Sequence, residues 1–133
     1  MKIYLAHSSN CDYINKIYKP ILADPELSKI ITLPHMEKDY MHNRNYYEDF
    51  DLVIAEVSNA STGMGIELGF FYDEDKPIYC IYQGDYSKAI EVVAKKVIEY
   101  IDIVKTIKGI IKENANETYR IWYWIKLYKR WSY

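Results

Sequence analysis

At 133 residues the chain has the size of one domain with a sizeable core, and half of its residues are hydrophobic. A formal charge of −2 argues against a protein held on nucleic acid by bulk electrostatics. Cys11 and Cys80 are too few and too unpatterned for a disulfide framework or a zinc site, and no apolar run approaches transmembrane length.

The chain opens directly on a strand-like MKIYLA with no secretory leader, so a soluble cytoplasmic protein is the expectation. Lys2 to Ala6 reads as the first strand, and His7, Ser8, Ser9 and Asn10 follow as a polar loop. Ser8, Ser9 or Asn10 is placed to cap the next helix, and the amides of that loop are a candidate anion site. Tyr13, Ile14, Ile17, Tyr18, Ile21 and Leu22 recur at helical spacing, with Pro20 expected to kink or restart the helix. Asp24-Pro25 marks its exit. Lys29 to Leu33 reads as a second strand, stopped by Pro34. A polar loop to Asn45 leads into a helix whose buried face carries Tyr46, Tyr47 and Phe50. His35 and His42 lack a metal-ligand pattern and read as solvated or core-edge histidines.

The central stretch is Asp51 to Gly69, DLVIAEVSNASTGMGIELG. Leu52 to Val57 is a short, β-branched, nearly continuous apolar run, as in a strand buried on both faces of a parallel sheet. Ser58 to Gly65 breaks the pattern as a loop. Ile66, Leu68, Phe70 and Phe71 restart it as a helix packed on the sheet, with Gly69 allowing close approach. Glu67 then falls in the first helical turn, where the dipole favours an ionised carboxylate. It faces a cleft of small residues, Gly63 and Gly65 among them, at the edge where open α/β sheets bind ligands. Glu67 reads as a nucleophile or charge stabiliser, or as an ordinary acidic residue favoured by the dipole alone. The run from Gly63 to Gly69 is one residue too long for a dinucleotide-binding G-x-G-x-x-G and carries an acid where a pyrophosphate would sit.

Asp73 to Pro77 is a turn and Ile78 to Tyr82 another buried strand. Ser87 opens a helix to about Lys95. Val97 to Tyr100 fits either a fifth strand or a continuation of that helix. Asp102 begins a helix carrying Ile103, Ile107, Ile110 and Ile111. This alternation indicates a three-layer α/β domain. We read residues 1–114 as that domain and 115–133 as a helical, aromatic and basic tail holding all three tryptophans, Trp122, Trp124 and Trp131. Its stripe of Ile121, Trp124, Ile125, Tyr128 and Trp131 suits a partner subunit, the domain's own surface, or an anionic membrane.

Tyr4 in KIYLAHS, DLVIAEVS from Asp51 and STGMGIELG from Ser61 together resemble the nucleoside 2-deoxyribosyltransferase family, most closely its 2'-deoxynucleoside 5'-phosphate N-hydrolase branch. The resemblance covers roughly Met1 to Lys112, and Lys76-Pro77 before the next strand agrees with it. It implies a flavodoxin-like fold with a five-stranded parallel sheet, which favours Val97 to Tyr100 as a strand. It implies that Glu67 is the nucleophile, with Tyr4 beside it. At the position of Ser61 the transferase branch has an aspartate toward the sugar 5'-hydroxyl, and the hydrolase branch a serine toward the 5'-phosphate. Where the family has an aspartate that assists the leaving base, this chain has Asn43, which can orient a base but not protonate it. Glu48 or Asp49 is a candidate substitute. A neighbouring subunit commonly completes the family's site, with Ser87 the candidate here, so a homo-oligomer is implied. No metal or organic cofactor is implied. The resemblance thus points to N-glycosidic cleavage of deoxynucleoside 5'-monophosphates. Base exchange on free deoxynucleosides and a non-catalytic nucleotide-binding module are the alternatives.

Overall fold

A computed structural model of the protein describes residues 1–36 and 44–131. Five strands form one parallel sheet: β1 (Ile3–His7), β2 (Ile31–Thr32), β3 (Leu52–Glu56), β4 (Ile78–Tyr82) and β5 (Lys96–Glu99). Their spatial order is β2-β1-β3-β4-β5. This is the flavodoxin-like order, in which the chain reverses its winding direction between β1 and β3 and opens a crevice beyond their carboxyl ends. The register sets Tyr4 beside Val53 and His7 beside Glu56, so the loops that follow β1 and β3 emerge side by side.

The central strands β1, β3 and β4 are buried on both faces, as their apolar runs predicted, whereas the edge strand β5 is partly exposed. Ile3, Leu5, Leu52, Ile54, Tyr79 and Ile81 point one way. There they meet Ile17, then Ile21 of helix α1 (Lys19–Ala23), Leu27 of α2 (Leu27–Ile30), and Ile103, Ile107 and Ile110 of α4 (Ile103–Trp131). Tyr4, Ala6, Val53, Ala55, Ile78 and Cys80 point the other way, against Tyr47, Phe50 and the residues Met64, Leu68 and Phe71 of α3 (Thr62–Asp73). Period-2 alternation in the strands thus produces the three layers.

Several elements differ from their sequence reading. Pro20 marks a change of helix type: a π-helical turn at Ile14–Tyr18 passes without a break into α1, with the proline as its second residue. Neither Ser8, Ser9 nor Asn10 caps this segment; Asp12 does, accepting from the Asn15 N–H at 3.4 Å. The second strand shrinks to Ile31–Thr32, because Asp24 Oδ1 accepts from the amides of Glu26 and Leu27 and coils the chain into α2 first. The expected helix from Ser87 is only a 3-10 turn, Lys88–Val92. The N–H groups of Val93 and Ala94 both return to Ile90, and the Lys95 N–H donates to the Ile78 carbonyl at 2.8 Å, turning the chain into β5.

The most consequential difference concerns α3. It starts at Thr62, not near Ile66, because Ser61 is an extended N-cap whose Oγ accepts from the Met64 N–H at 3.4 Å. Gly63 and Gly65 therefore belong to the first turn, and Glu67 to the second. Gly69 serves no close approach, since a Cβ built there meets no atom within 4 Å. Ile66 and Phe70 face outward; Met64, Glu67, Leu68 and Phe71 form the buried face. Helix α4 runs unbroken from the domain into the aromatic, basic stretch.

Candidate active site

Tyr4 is the second residue of β1 and points toward α3. Its ring is boxed by Phe50 (5.1 Å between centroids), Phe71 (4.9 Å), Tyr46 (6.2 Å) and Tyr47 (6.4 Å). That box leaves the ring one orientation, and in it the Tyr4 hydroxyl donates to Glu67 Oε2 across 2.9 Å. The pair is buried, with Glu67 only 6% exposed. Burial raises the Glu67 carboxyl from its ordinary value to about 7, and the Tyr4 hydrogen bond pulls the other way. This reverses the expectation of a dipole-stabilised carboxylate: one turn further into the helix, desolvation outweighs the dipole. Tyr4 is raised by burial and by the neighbouring Glu67, so its phenol keeps its proton and remains the donor. Glu67 thus holds its proton to higher pH than an ordinary carboxyl does.

Gly63 lies four residues before Glu67 on the same helix face, and helical side chains lean back toward the N-terminus. Glu67 therefore leans back over the turn that holds Gly63, where the glycine sets no side chain against it. A Cβ built on Gly63 has Ser61 Oγ as its nearest neighbour, at 3.9 Å. Gly65 is exposed. Ser61 spends an oxygen lone pair on the cap but not its hydroxyl proton, which is available to a ligand.

The remaining predicted residues fall around this pair in different ways. Ser8 is buried at the end of β1, with its Oγ accepting from the Asn10 N–H at 3.0 Å. The Asn10 amide is thereby engaged within the loop. Ser87 is exposed on the β4–β5 connection, and its carbonyl accepts from the Ile90 N–H at 3.0 Å. Asn43 and His42 lie outside the described residues. Glu48 and Asp49 are exposed. The Glu48 carbonyl receives Lys76 Nζ at 2.7 Å, which ties the segment carrying Tyr46 and Tyr47 to the α3–β4 turn.

Two polar residues that the sequence reading did not single out are buried at the same sheet edge. His7 Nδ1 lies 2.9 Å from the Ser8 carbonyl, an acceptor, so this nitrogen carries the proton. Nε2 then accepts from the Tyr18 hydroxyl at 2.7 Å. Burial lowers the His7 pKa, in keeping with a neutral ring. Glu56 Oε1 accepts from both the amide and the hydroxyl of Ser58 and faces a cavity of about 190 Å³ with Cys11, Lys16 and Tyr100. Strand alternation puts His7 and Glu56 on the sheet face opposite Tyr4. Glu56 is therefore not a second carboxylate for Glu67. The period-2 pattern of IYLAH and LVIAE carried this signal. Among the described residues no three His, Cys, Asp or Glu side chains are grouped to hold a metal ion.

No family model matches the chain. A curated protein of Nematostella vectensis, named "Putative 2'-deoxynucleoside 5'-phosphate N-hydrolase 1", is 34% identical over 58 residues, 42% of this chain. The match spans 40% of that relative's length. The solved structure of a CMP N-glycosidase from Clostridium botulinum is similar with a TM-score of 0.48 and 19% identity, over 75% of this chain and 89% of that one. That relative's name agrees with the family that the motifs around Tyr4, Asp51 and Ser61 resemble, and the chain is similar to the nucleoside 2-deoxyribosyltransferase family.

Proposed function

We propose that the protein is an N-glycosidase that cleaves 2'-deoxynucleoside 5'-monophosphates to free base and deoxyribose 5-phosphate. One observation carries the reading: a buried carboxylate, Glu67, that accepts from the Tyr4 hydroxyl at 2.9 Å, in the turn after Gly63. An ionised Glu67 oxygen attacks C1' of the sugar. The C1'–N bond breaks, and its electron pair leaves with the base, which takes up a proton. Water then adds at C1' of the glycosyl-enzyme ester and releases the carboxylate, as in retaining glycosidases. The absent 2'-hydroxyl makes the oxocarbenium-like transition state easier to reach. Tyr4 orients the carboxylate and stabilises its charge when the ester is hydrolysed. Ser61 donates to the 5'-phosphate, where an aspartate would repel it. Asn43 orients the leaving base by hydrogen bonds, and Ser8 lies in the loop beside the phosphate. A homo-oligomer in which Ser87 of a second copy completes the site is part of this reading.

The test is chromatographic detection of free base from each of the four deoxynucleoside monophosphates, with wild type and Glu67→Gln side by side. Deoxynucleosides with an acceptor base run in parallel. Release by wild type that collapses in the variant is the expected result. Base exchange without net hydrolysis points instead to a transferase. Nucleotide binding with no turnover points to a binding module.

A further inference from the structure

We propose that the C-terminal part of α4 docks the protein on anionic lipid surfaces as an interfacial helix. The first half of α4 is part of the domain: Ile103, Ile107, Ile110 and Asn114 are buried. Among the described residues its last ion pairs to the domain are Lys96 Nζ to Glu113 at 3.0 Å and Lys95 to Glu117. Beyond Glu117 the helix continues for about 20 Å; Thr118 and Ile121 still border the domain across a cavity lined by Tyr72, Pro77 and Val92, and the stretch from Trp122 projects past it.

This overhang is apolar where it should be water-covered. Ile121 is 61% exposed, Trp124 68%, Ile125 51% and Tyr128 77%. At helical spacing these side chains share an arc of roughly 100°. Arg120 and Lys129 flank that arc on its two sides, placed to reach headgroups while their stems lie along the apolar stripe. Lys126 and Arg130 lie on the back, and Lys126 Nζ sits 4.8 Å from the centre of the Trp122 ring. Tyr119, Trp122 and Tyr123 are exposed on the back with Lys126 and Arg130, outside the arc; within the arc, Trp124 and Tyr128 are of the types that favour the boundary between headgroup and acyl chain.

Charge selects the occupant. Residues 118–131 hold Arg120, Lys126, Lys129 and Arg130 and no acid; the whole chain carries −2 and this stretch +4, which leaves −6 on the rest. Pairing two overhangs from two copies would set cation against cation. An anionic bilayer supplies the missing charge to the helix and repels the acidic body, so contact is confined to the overhang. Among the described residues no helix is long and apolar enough to cross a membrane, which leaves binding in the interfacial plane.

The three tryptophans all lie in this stretch, so intrinsic tryptophan fluorescence reports on it alone. The full chain is titrated with vesicles of phosphatidylcholine containing about 30% phosphatidylserine and with pure phosphatidylcholine vesicles; co-sedimentation and emission wavelength are followed. A blue shift and sedimentation with the anionic vesicles, weakened by salt, are expected. Each basic residue near the surface contributes about fivefold in partitioning, so the double variant Arg120→Glu/Lys129→Glu should lose on the order of 100-fold. Both positions are exposed and outside the core, and unchanged thermal unfolding confirms that the variant is folded. Absence of a shift, equal binding to neutral vesicles, or a shift that tracks protein concentration without lipid each overturns the proposal; the last would place a second copy on the helix. None of these outcomes depends on N-glycosidase activity.

Discussion

Tyr4 and Glu67 are 63 residues apart in sequence and share a 2.9 Å hydrogen bond that joins the second residue of β1 to the second turn of α3. The bond and the burial around it act on the Glu67 carboxyl in opposite directions, and burial is the larger effect.

Activity should follow that balance. A nucleophilic Glu67 must be ionised, so kcat/KM should rise with pH through a limb near 7, the value to which burial lifts the group. Tyr4→Phe removes the donor that favours the carboxylate. Its limb should move to higher pH, and its rate on the plateau should fall roughly tenfold, as for loss of a hydrogen bond to a charged group. A pH–rate profile of both proteins reads this directly. An unmoved limb in Tyr4→Phe would show that another group titrates.

Stability should respond with the opposite slope. Between the ordinary carboxyl value of 4.5 and about 7, folded Glu67 holds a proton that unfolded Glu67 has released. The folded state binds more protons there, so stability falls as pH rises across this window, by about 2–3 kcal/mol in all. Glu67→Gln cannot ionise and keeps an acceptor for Tyr4. It should melt several degrees above wild type at pH 8 and close to it at pH 4, by calorimetry. A variant destabilised at pH 8 would contradict the raised carboxyl.

Gly63 separates access from folding. A Cβ at this position meets nothing closer than Ser61 Oγ at 3.9 Å. Gly63→Ala should leave Tm unchanged or raise it, by up to about 1 kcal/mol of helix propensity. Gly63→Leu should also fold but cover Glu67, lowering kcat/KM about 100-fold or more. Equal kcat/KM in wild type and Gly63→Leu would mean that substrate does not approach across this turn.

Ser61 separates capping from phosphate recognition. Ser61→Ala removes the acceptor of the Met64 N–H and should cost about 1 kcal/mol in denaturant unfolding. Ser61→Asp restores the cap but sets a negative charge where the proposal places the 5'-phosphate. Its Tm should match wild type, while its preference for monophosphate over nucleoside falls by roughly 10- to 100-fold. Competition between the two substrates measures the ratio.

The aromatic box has a structural role that can be measured separately. Phe71 is fully buried against Tyr4, Tyr47 and Phe50. Phe71→Ala should cost about 3–5 kcal/mol. Equilibrium unfolding checks the cost, and a loss below 1 kcal/mol would mean that the box collapses around the gap.

The sequence by itself determined the elements whose stability is local or whose composition admits one environment. β1, β3 and β4 are legible because runs of four or five apolar residues, rich in β-branched and aromatic side chains, suit a strand covered on both faces. Glu67 and Tyr4 were legible as candidates through the motifs that carry them, and the alternation in IYLAH and LVIAE already assigns His7 and Glu56 to the other face. What tertiary structure alone decided are properties that arise between distant segments. Which of the loop's polar residues would start α3 was open until Ser61 took the Met64 amide, and that choice moved Glu67 by one turn. Val97 became strand because β4 offered it a partner, not because of its own pattern. The ionisation of Glu67 changed direction because burial outweighs both the helix dipole and the Tyr4 hydrogen bond. A dipole is a property of one helix, whereas burial exists only once the layers have met.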